Sequence, residues 1–175
     1  MYERLLVALD GSASAERVLD HAEALAGAFG SRITLVRATT SPEVLLAETA
    51  GTGPGVGDLT PAMDPTPVIQ AEHEAARDYL DQVVARLRQR GLHVEAEQHE
   101  GAAADVIVQR AQSLDASLIL MTTHGRGGLG RVVFGSVADA VLRHATCPVL
   151  LVRITPEDEA AAESTEDGEA TASGS

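Results

Sequence analysis

The sequence predicts an α/β protein with an open, parallel, five-stranded sheet that carries helices on both faces and so forms three layers. Short apolar runs alternate with amphipathic helical stretches along the chain, an order typical of parallel sheets. Hydrophobic residues make up 45% of the 175 residues, whereas aromatic residues make up 2%. The core is therefore expected to consist of Leu, Val, Ile and Ala, as in strands that are buried on both faces.

The first half of this alternation opens with a strand that ends before Asp10 and Gly11. Ser12 or Ser14 is placed to cap the next helix through its side-chain oxygen. The elements predicted here are a strand at Arg4–Leu9, a helix at Ala15–Phe29 that ends at Gly30, and a strand at Ile33–Ala38.

The second half continues with a long amphipathic helix. Pro67 suits its first turn, and Gly91 ends its apolar stripe. In the strand that follows, polar and apolar residues alternate. This pattern indicates a strand at the sheet edge with one solvent-exposed face. The remaining predicted elements are strands at His93–His99, Ser117–Met121 and Pro148–Val152, and helices at Ala102–Leu114 and Ser136–His144.

Two segments differ from the rest in composition. Residues 39–66 are rich in Pro and Gly, and so long an irregular segment predicts a flexible flap or an insertion. Residues 154–175 form an acidic tail with almost nothing to bury, so we expect disorder there and a folded domain at 1–153. The tail holds seven acidic residues and no basic one, so 19 acidic and 13 basic residues remain, a net charge of −6 against −13 for the whole chain.

Charge and composition exclude several classes of function. A net charge of −13 argues against nucleic acids and anionic membranes as partners. All 13 basic residues are Arg, and a chain without Lys lacks the residue that P-loop NTPases use to reach the terminal phosphates. Schiff-base catalysis through Lys is excluded for the same reason.

Cysteine content and hydropathy indicate the cellular location that is expected for the protein. Cys147 is the single cysteine, so no intrachain disulfide is expected, and its apolar surroundings predict a buried, unreactive thiol. No apolar stretch reaches the roughly 18 residues of a membrane span, and charges near the N-terminus occupy the place of a signal-peptide core. The expected location is the cytoplasm.

The segment Thr122–Ser136 predicts a glycine-rich loop between a buried strand and a helix. Its glycines let backbone N–H groups turn toward an anion, and the helix that Gly135 and Ser136 open offers free N–H groups and its dipole. Arg126 can neutralise negative charge. If a nucleotide binds there, Asp10 is the nearest candidate to hold a divalent cation, directly or through water. The alternative interpretation is a flexible surface turn.

Three separated motifs resemble the universal stress protein family. Gly125, nine residues and then Gly135-Ser136 are similar to its nucleotide-binding signature, Gly-x2-Gly-x9-Gly-[Ser/Thr]. Ala-Leu-Asp-Gly-Ser at 8–12 and Cys-Pro-Val-Leu-Leu-Val at 147–152 resemble the start and the end of its members. The resemblance covers about residues 1–153. With it, the expected fold is Rossmann-like with strand order 3-2-1-4-5, and Val149–Val152 is expected to pair two subunits as a homodimer.

The resemblance also implies a set of residues for ATP. The implied contacts are Asp10 beside the ribose and phosphates, Val36, Ala38 and Met121 around adenine, and Gly125, Gly135, Ser136 and Val137 at the phosphates, with His124 and Arg126 adjacent. Thr122 stands where the signature has its first glycine. Its Cβ either crowds the ribose or brings a hydroxyl that bonds to it.

Three functions follow from these observations, in order of preference. The first is a stress-response binding module that holds ATP, with Mg2+, and signals through its occupancy. The second is a dimeric interaction protein of the same fold that binds no nucleotide, which Thr122 motivates. The third is a slow ATP hydrolase, although no base for water is evident. A GxGxxG match at Gly125–Gly130 indicates NAD binding only weakly, because no acidic residue ends the next strand.

Overall fold

The structure is a computed structural model that describes residues 1–39, 66–124 and 135–154, with His124 described by its backbone alone. Within these ranges strands and helices alternate as predicted. The elements in chain order are β1 (Arg4–Ala8), α1 (Val18–Phe29), β2 (Arg32–Thr39), α2 (Thr66–Gln89), β3 (His93–Glu100), α3 (Ala103–Ser113), β4 (Leu118–His124), α4 (Ser136–His144) and β5 (Val149–Ile154). A 3-10 turn at Ala15–Arg17 leads into α1.

The five strands form one parallel sheet in the order β3-β2-β1-β4-β5, which confirms the predicted topology. The chain winds outward from β1 through β2 to β3, then crosses to the other side of β1 for β4 and β5. The winding direction therefore reverses between β1 and β4. In sheets of this kind, ligands bind beyond the carboxyl ends of the strands at that point.

Burial on both faces explains why the central strands are continuous apolar runs. One face of the sheet packs under α1 and α2, and the other packs under α3 and α4, so the domain has three layers. Leu6, Leu35, Ile119 and Leu120 in the middle strands have no exposed surface. The sheet interior is therefore dry, and polar groups occur at its edges and at the ends of its strands.

Helix ends follow the local sequence signals. Ser12 Oγ accepts a hydrogen bond of 3.1 Å from the Ala15 N–H, whereas Ser14 makes no side-chain cap. Of the two predicted candidates, Ser12 is therefore the cap, and it caps the 3-10 turn that leads into α1. At the other end of α1, Gly30 adopts a left-handed φ of 65° and donates its N–H to Ala26 O at 2.8 Å. A glycine accepts this conformation without steric cost, so it ends the helix as predicted.

The predicted flap and the predicted tail lie mainly outside the described residues. Thr39 ends β2 and Thr66 begins α2, so both ends of the segment 39–66 belong to regular elements. Ile154 is 1% exposed and ends β5, two residues beyond the predicted end of the last strand. None of the helices in the described ranges combines the length and the apolar content that crossing a membrane requires.

Candidate functional site

A cavity of about 440 Å³ lies at the carboxyl edge of the sheet, where the winding reverses. The ends of β1, β2 and β4 and the start of α4 surround it. It brings together eight of the predicted site residues, Asp10, Val36, Ala38, Met121, Thr122, Gly135, Ser136 and Val137. Gly125, Arg126 and the side chain of His124 lie outside the described residues.

Asp10 is held by the turn that follows β1. Its Oδ1 accepts hydrogen bonds from the Ser12 N–H at 2.8 Å and from Ser12 Oγ at 2.6 Å. Both bonds use the same carboxylate oxygen. In the part of the chain that the structure describes, Oδ2 has no hydrogen-bond donor. The turn therefore orients the exposed carboxylate and leaves one oxygen for a ligand or a cation.

One wall of the cavity is apolar. Val36 and Met121 are 1% and 5% exposed, and both belong to the core cluster under α3 and α4. Ala38 packs against the same cluster. Ala103 and Ile107 of α3 complete the wall. Sequence analysis missed these two residues, because the helix that faces the strand ends becomes known only when the helices are placed on the sheet.

The start of α4 is the polar wall. Gly135 is the N-cap residue and provides no side chain for capping, and the helical ladder begins when the Asp139 N–H donates to Gly135 O at 3.0 Å. Within the described residues, the preceding N–H groups, those of Ser136, Val137 and Ala138, have no backbone acceptor, as is usual at a helix N-terminus. Asp139 in this turn is paired with Arg143 at 2.9 Å, which offsets its charge. The helix end can therefore accept an anion.

The predicted loop is shorter than the sequence indicated. Thr122, Thr123 and His124 continue β4, and they pair with Val152, Arg153 and Ile154 of β5. Predicting a loop from Thr122 onward was wrong for these three residues. The physical reason is that β5 supplies a parallel partner for each of them, and for Thr123 and His124 that partner lies beyond Val152. Thr122 is a half-buried strand residue that lines the cavity, and the segment between β4 and Gly135 lies outside the described residues.

Two charged residues at the cavity were missed by the sequence analysis, Arg37 of β2 and Glu72 of α2. Arg37 lies next to the predicted adenine contacts, but its side chain faces α2, where its Cζ is 5.4 Å from the centre of the Tyr79 ring. Burial, followed by the charges of Glu16 and Asp10, raises the pKa of Tyr79, and Arg37 opposes that rise. No local motif marks these residues, because their proximity depends on how α2 packs.

Other predicted features lie away from the cavity. Cys147 is half-buried rather than buried, and burial raises the pKa of its thiol, so little reactive thiolate is present at neutral pH. His99, at the end of the predicted edge strand, has its Nε2 3.1 Å from Glu97 Oε2. A larger cavity of about 620 Å³ lies between α2 and β3. It lacks the apolar wall and the helix N-terminus that the cavity at Asp10 has.

The sequence and the structure of this chain are both similar to those of known proteins. The universal stress protein family model matches residues 1–153. The universal stress protein MJ0531 of Methanocaldococcus jannaschii is 30% identical, over 87% of this chain and 83% of its own. A universal stress protein family structure from Burkholderia pseudomallei is 32% identical with a TM-score of 0.64, over 86% of this chain and 96% of its own.

A universal stress protein family structure from Arabidopsis thaliana with AMP bound has a TM-score of 0.60 and 17% identity, over 89% of this chain and 94% of its own. At that identity it shows a shared fold. The match over residues 1–153 includes all five strands apart from Ile154 at the end of β5, the residues that line the cavity and the segment from Gly125 to Ser136. This chain belongs to the universal stress protein family.

Proposed function

We propose that this protein binds ATP, together with Mg2+, in the cavity at Asp10 and acts as a regulatory or signalling module of the stress response in the cytoplasm. The main observation behind the proposal is the composition of the cavity. An apolar wall suits a base, an oriented carboxylate suits a ribose, and a helix N-terminus suits phosphates, all in one space of about 440 Å³. Small-molecule sites typically have volumes of about 300–1,000 Å³.

The phosphates are expected to contribute most of the binding energy. Each hydrogen bond from an N–H group to a charged phosphate contributes about 1.5–3 kcal/mol. The dipole of α4 adds only about 0.3–1 kcal/mol near a surface. We therefore assign the phosphate contacts to the N–H groups of Ser136 and Val137, with the Ser136 hydroxyl as a further donor. The AMP bound to the related Arabidopsis protein supports an adenine nucleotide as the ligand class.

The proposed Mg2+ enters with the nucleotide. Among the described residues there is no group of three or more His, Cys, Asp or Glu side chains that could hold a metal ion. Mg2+ commonly uses one or two carboxylates together with substrate phosphates and waters. Asp10 fits that role, because its Oδ2 is open while Oδ1 is held by Ser12.

Titration calorimetry with ATP, with and without Mg2+, tests the proposal. Ser136→Ala is expected to weaken ATP binding about ten-fold, because one hydrogen bond to a charged group is lost. Ser113→Ala is the matched control, since Ser113 is exposed and its Oγ donates to Gln109 O within α3, away from the cavity. No saturable binding to the unaltered chain up to about 1 mM ATP would end the proposal.

Thr122 favours a second candidate, a dimeric interaction protein that binds no nucleotide. Its branched side chain lines the cavity at the position of the first signature glycine. On that hypothesis the unaltered chain binds no ATP and Thr122→Gly creates binding. If both chains bind with similar affinity, Thr122 is compatible with a nucleotide and the second candidate is excluded.

A further inference from the structure

We propose that Arg37 contacts the phosphates of the bound nucleotide and makes the cavity prefer nucleotides over nucleosides. The inference rests on the proposed function, because it assigns charge selectivity to a residue of the same site. Arg37 lies outside the signature at 125–136, and its role follows from packing alone.

The packing holds the guanidinium of Arg37 next to Asp10. The side chain extends from β2 to the turn after β1, where a Cβ placed on Gly11 would lie 2.7 Å from Nη1 and 2.9 Å from Cζ. Only glycine leaves room for so close an approach. The same Cζ lies 5.4 Å from the centre of the Tyr79 ring, within the range of a cation–π contact. The guanidinium therefore lies between the Tyr79 ring and Gly11, the residue that follows Asp10.

The hydrogen-bonding capacity of this guanidinium is unused in the ranges that the structure describes. Arg37 makes no hydrogen bond or ion pair there, although a guanidinium has about five N–H donors. Other arginines in these ranges are committed to carboxylates, as Arg86 is to Glu16 and Arg90 is to Glu23. Arg37 therefore keeps its donors for a ligand.

Charge at the cavity gives the reason for a phosphate contact. Arg37 is the single basic side chain among the described residues that line it, whereas Asp10 and Glu72 are acidic. A polyphosphate approaching these carboxylates, in a chain of net charge −13, is repelled unless a cation compensates. A guanidinium is always charged and forms paired hydrogen bonds to phosphate oxygens. Adenosine has no phosphate and gains nothing from this contact.

Titration of the full-length chain with ATP, AMP and adenosine tests the inference. Arg37→Gln is expected to weaken ATP binding about ten-fold or more, AMP binding by less, and adenosine binding by less than about two-fold. Arg37→Lys keeps the positive charge but lacks the planar guanidinium. Its ATP affinity is therefore expected to lie between those of the Arg37→Gln chain and the unaltered chain. Arg32→Gln is the matched control, since it removes one charge at the opposite end of β2 and is expected to leave all three affinities unchanged.

Two results would overturn the inference. Equal losses for ATP and adenosine would show that Arg37 only supports the turn at Gly11, and an unchanged ATP affinity would show no contact. If thermal melting shows that Arg37→Gln does not fold, the Lys variant decides. A fall in its ratio of ATP affinity to adenosine affinity supports the contact, and an unchanged ratio overturns it. An unaltered chain that binds none of the three ligands would contradict the proposed function itself.

Discussion

Glu97 is a partly buried carboxylate of β3, on the side of the sheet that carries α3. Arg110 of α3 donates two hydrogen bonds to it, at 2.7 and 2.8 Å, and His99 Nε2 lies 3.1 Å from its Oε2. Burial acts to raise the pKa of Glu97, but the hydrogen bonds and charges of Arg110 and His99 outweigh burial and hold this pKa below its usual value. The ion pair therefore stabilises the folded state whenever Glu97 is ionised.

This pKa shift predicts a pH-dependent contribution to stability. Because the folded pKa is depressed, the stabilisation is present above the unfolded pKa of about 4.3 and is lost as pH falls through the folded pKa. Glu97→Gln is expected to lower the free energy of unfolding by about 1 kcal/mol at pH 7, since the pair is partly exposed. Urea denaturation at several pH values measures the difference, which is expected to vanish in strong acid.

Glu95→Gln is the control for this prediction. Glu95 lies on the same strand and is exposed, so its replacement is expected to change stability by less than about 0.5 kcal/mol at either pH. If Glu97→Gln lowers the free energy of unfolding by the same amount in acid as at pH 7, the stabilisation by Glu97 does not have an electrostatic origin.

At the scale of elements, the turn between β1 and α1 places Asp10, caps the 3-10 turn that leads into α1 and accommodates Arg37. Gly11 has a φ of 90°, in the region where residues with a side chain are strained, and the Arg37 guanidinium fills the space of a Cβ. Ser12 binds Asp10 and also accepts the Ala15 N–H. The turn thus leads through the 3-10 turn at Ala15–Arg17 into α1 and is also part of the candidate site.

Gly11→Ala is expected to lower stability by about 1–3 kcal/mol, because the backbone is strained and the guanidinium must move. The ATP affinity of the Gly11→Ala chain is expected to fall, as it is for Arg37→Gln, because the guanidinium is displaced in the first and absent in the second. Thermal melting and calorimetry measure the two effects.

Gly27→Ala is the matched control, because a Cβ on Gly27 meets no atom within 4 Å and the residue lies inside α1. Alanine there is expected to raise stability by about 0.5–1 kcal/mol. A Gly11→Ala chain as stable as the Gly27→Ala chain would refute the role given to the turn.

At the scale of the whole molecule, the two edges of the sheet differ. In β3 exposed and half-buried polar residues predominate, whereas Val149–Val152 of β5 are four consecutive half-buried apolar residues. An apolar edge strand is a site for pairing with another chain. We therefore propose that β5 pairs with β5 of a second copy.

Sedimentation equilibrium is expected to give twice the chain mass of 18.2 kDa. Val152→Lys, which puts a charge on the edge, is expected to shift the protein to the monomer. A chain that ends after Ile154 is the control, since the proposed contact does not involve the acidic tail. A monomer for the unaltered chain at micromolar concentration would refute the proposed dimer.

Much of this architecture follows from local sequence. The apolar runs of β1 and β4 and the stripe of α2 specify their elements, because burial on two faces or on one face imposes different periodicities. The alternation of these elements restricts the sheet to parallel topologies. Three motifs, at 8–12, 125–136 and 147–152, carry the resemblance to the family, and that resemblance implied eight residues that the fold brings to one cavity.

The tertiary structure decided what depends on distant partners. β4 continues to His124 because β5 extends to Ile154, and neither fact is visible in the local sequence of β4. Arg37 and Glu72 reach the cavity because of how α2 packs against β2. A strand or helix forms from its own sequence pattern. The position of a long side chain, in contrast, depends on which neighbouring residues leave space for it. At Arg37 that neighbour is Gly11, which is 26 positions away in the sequence.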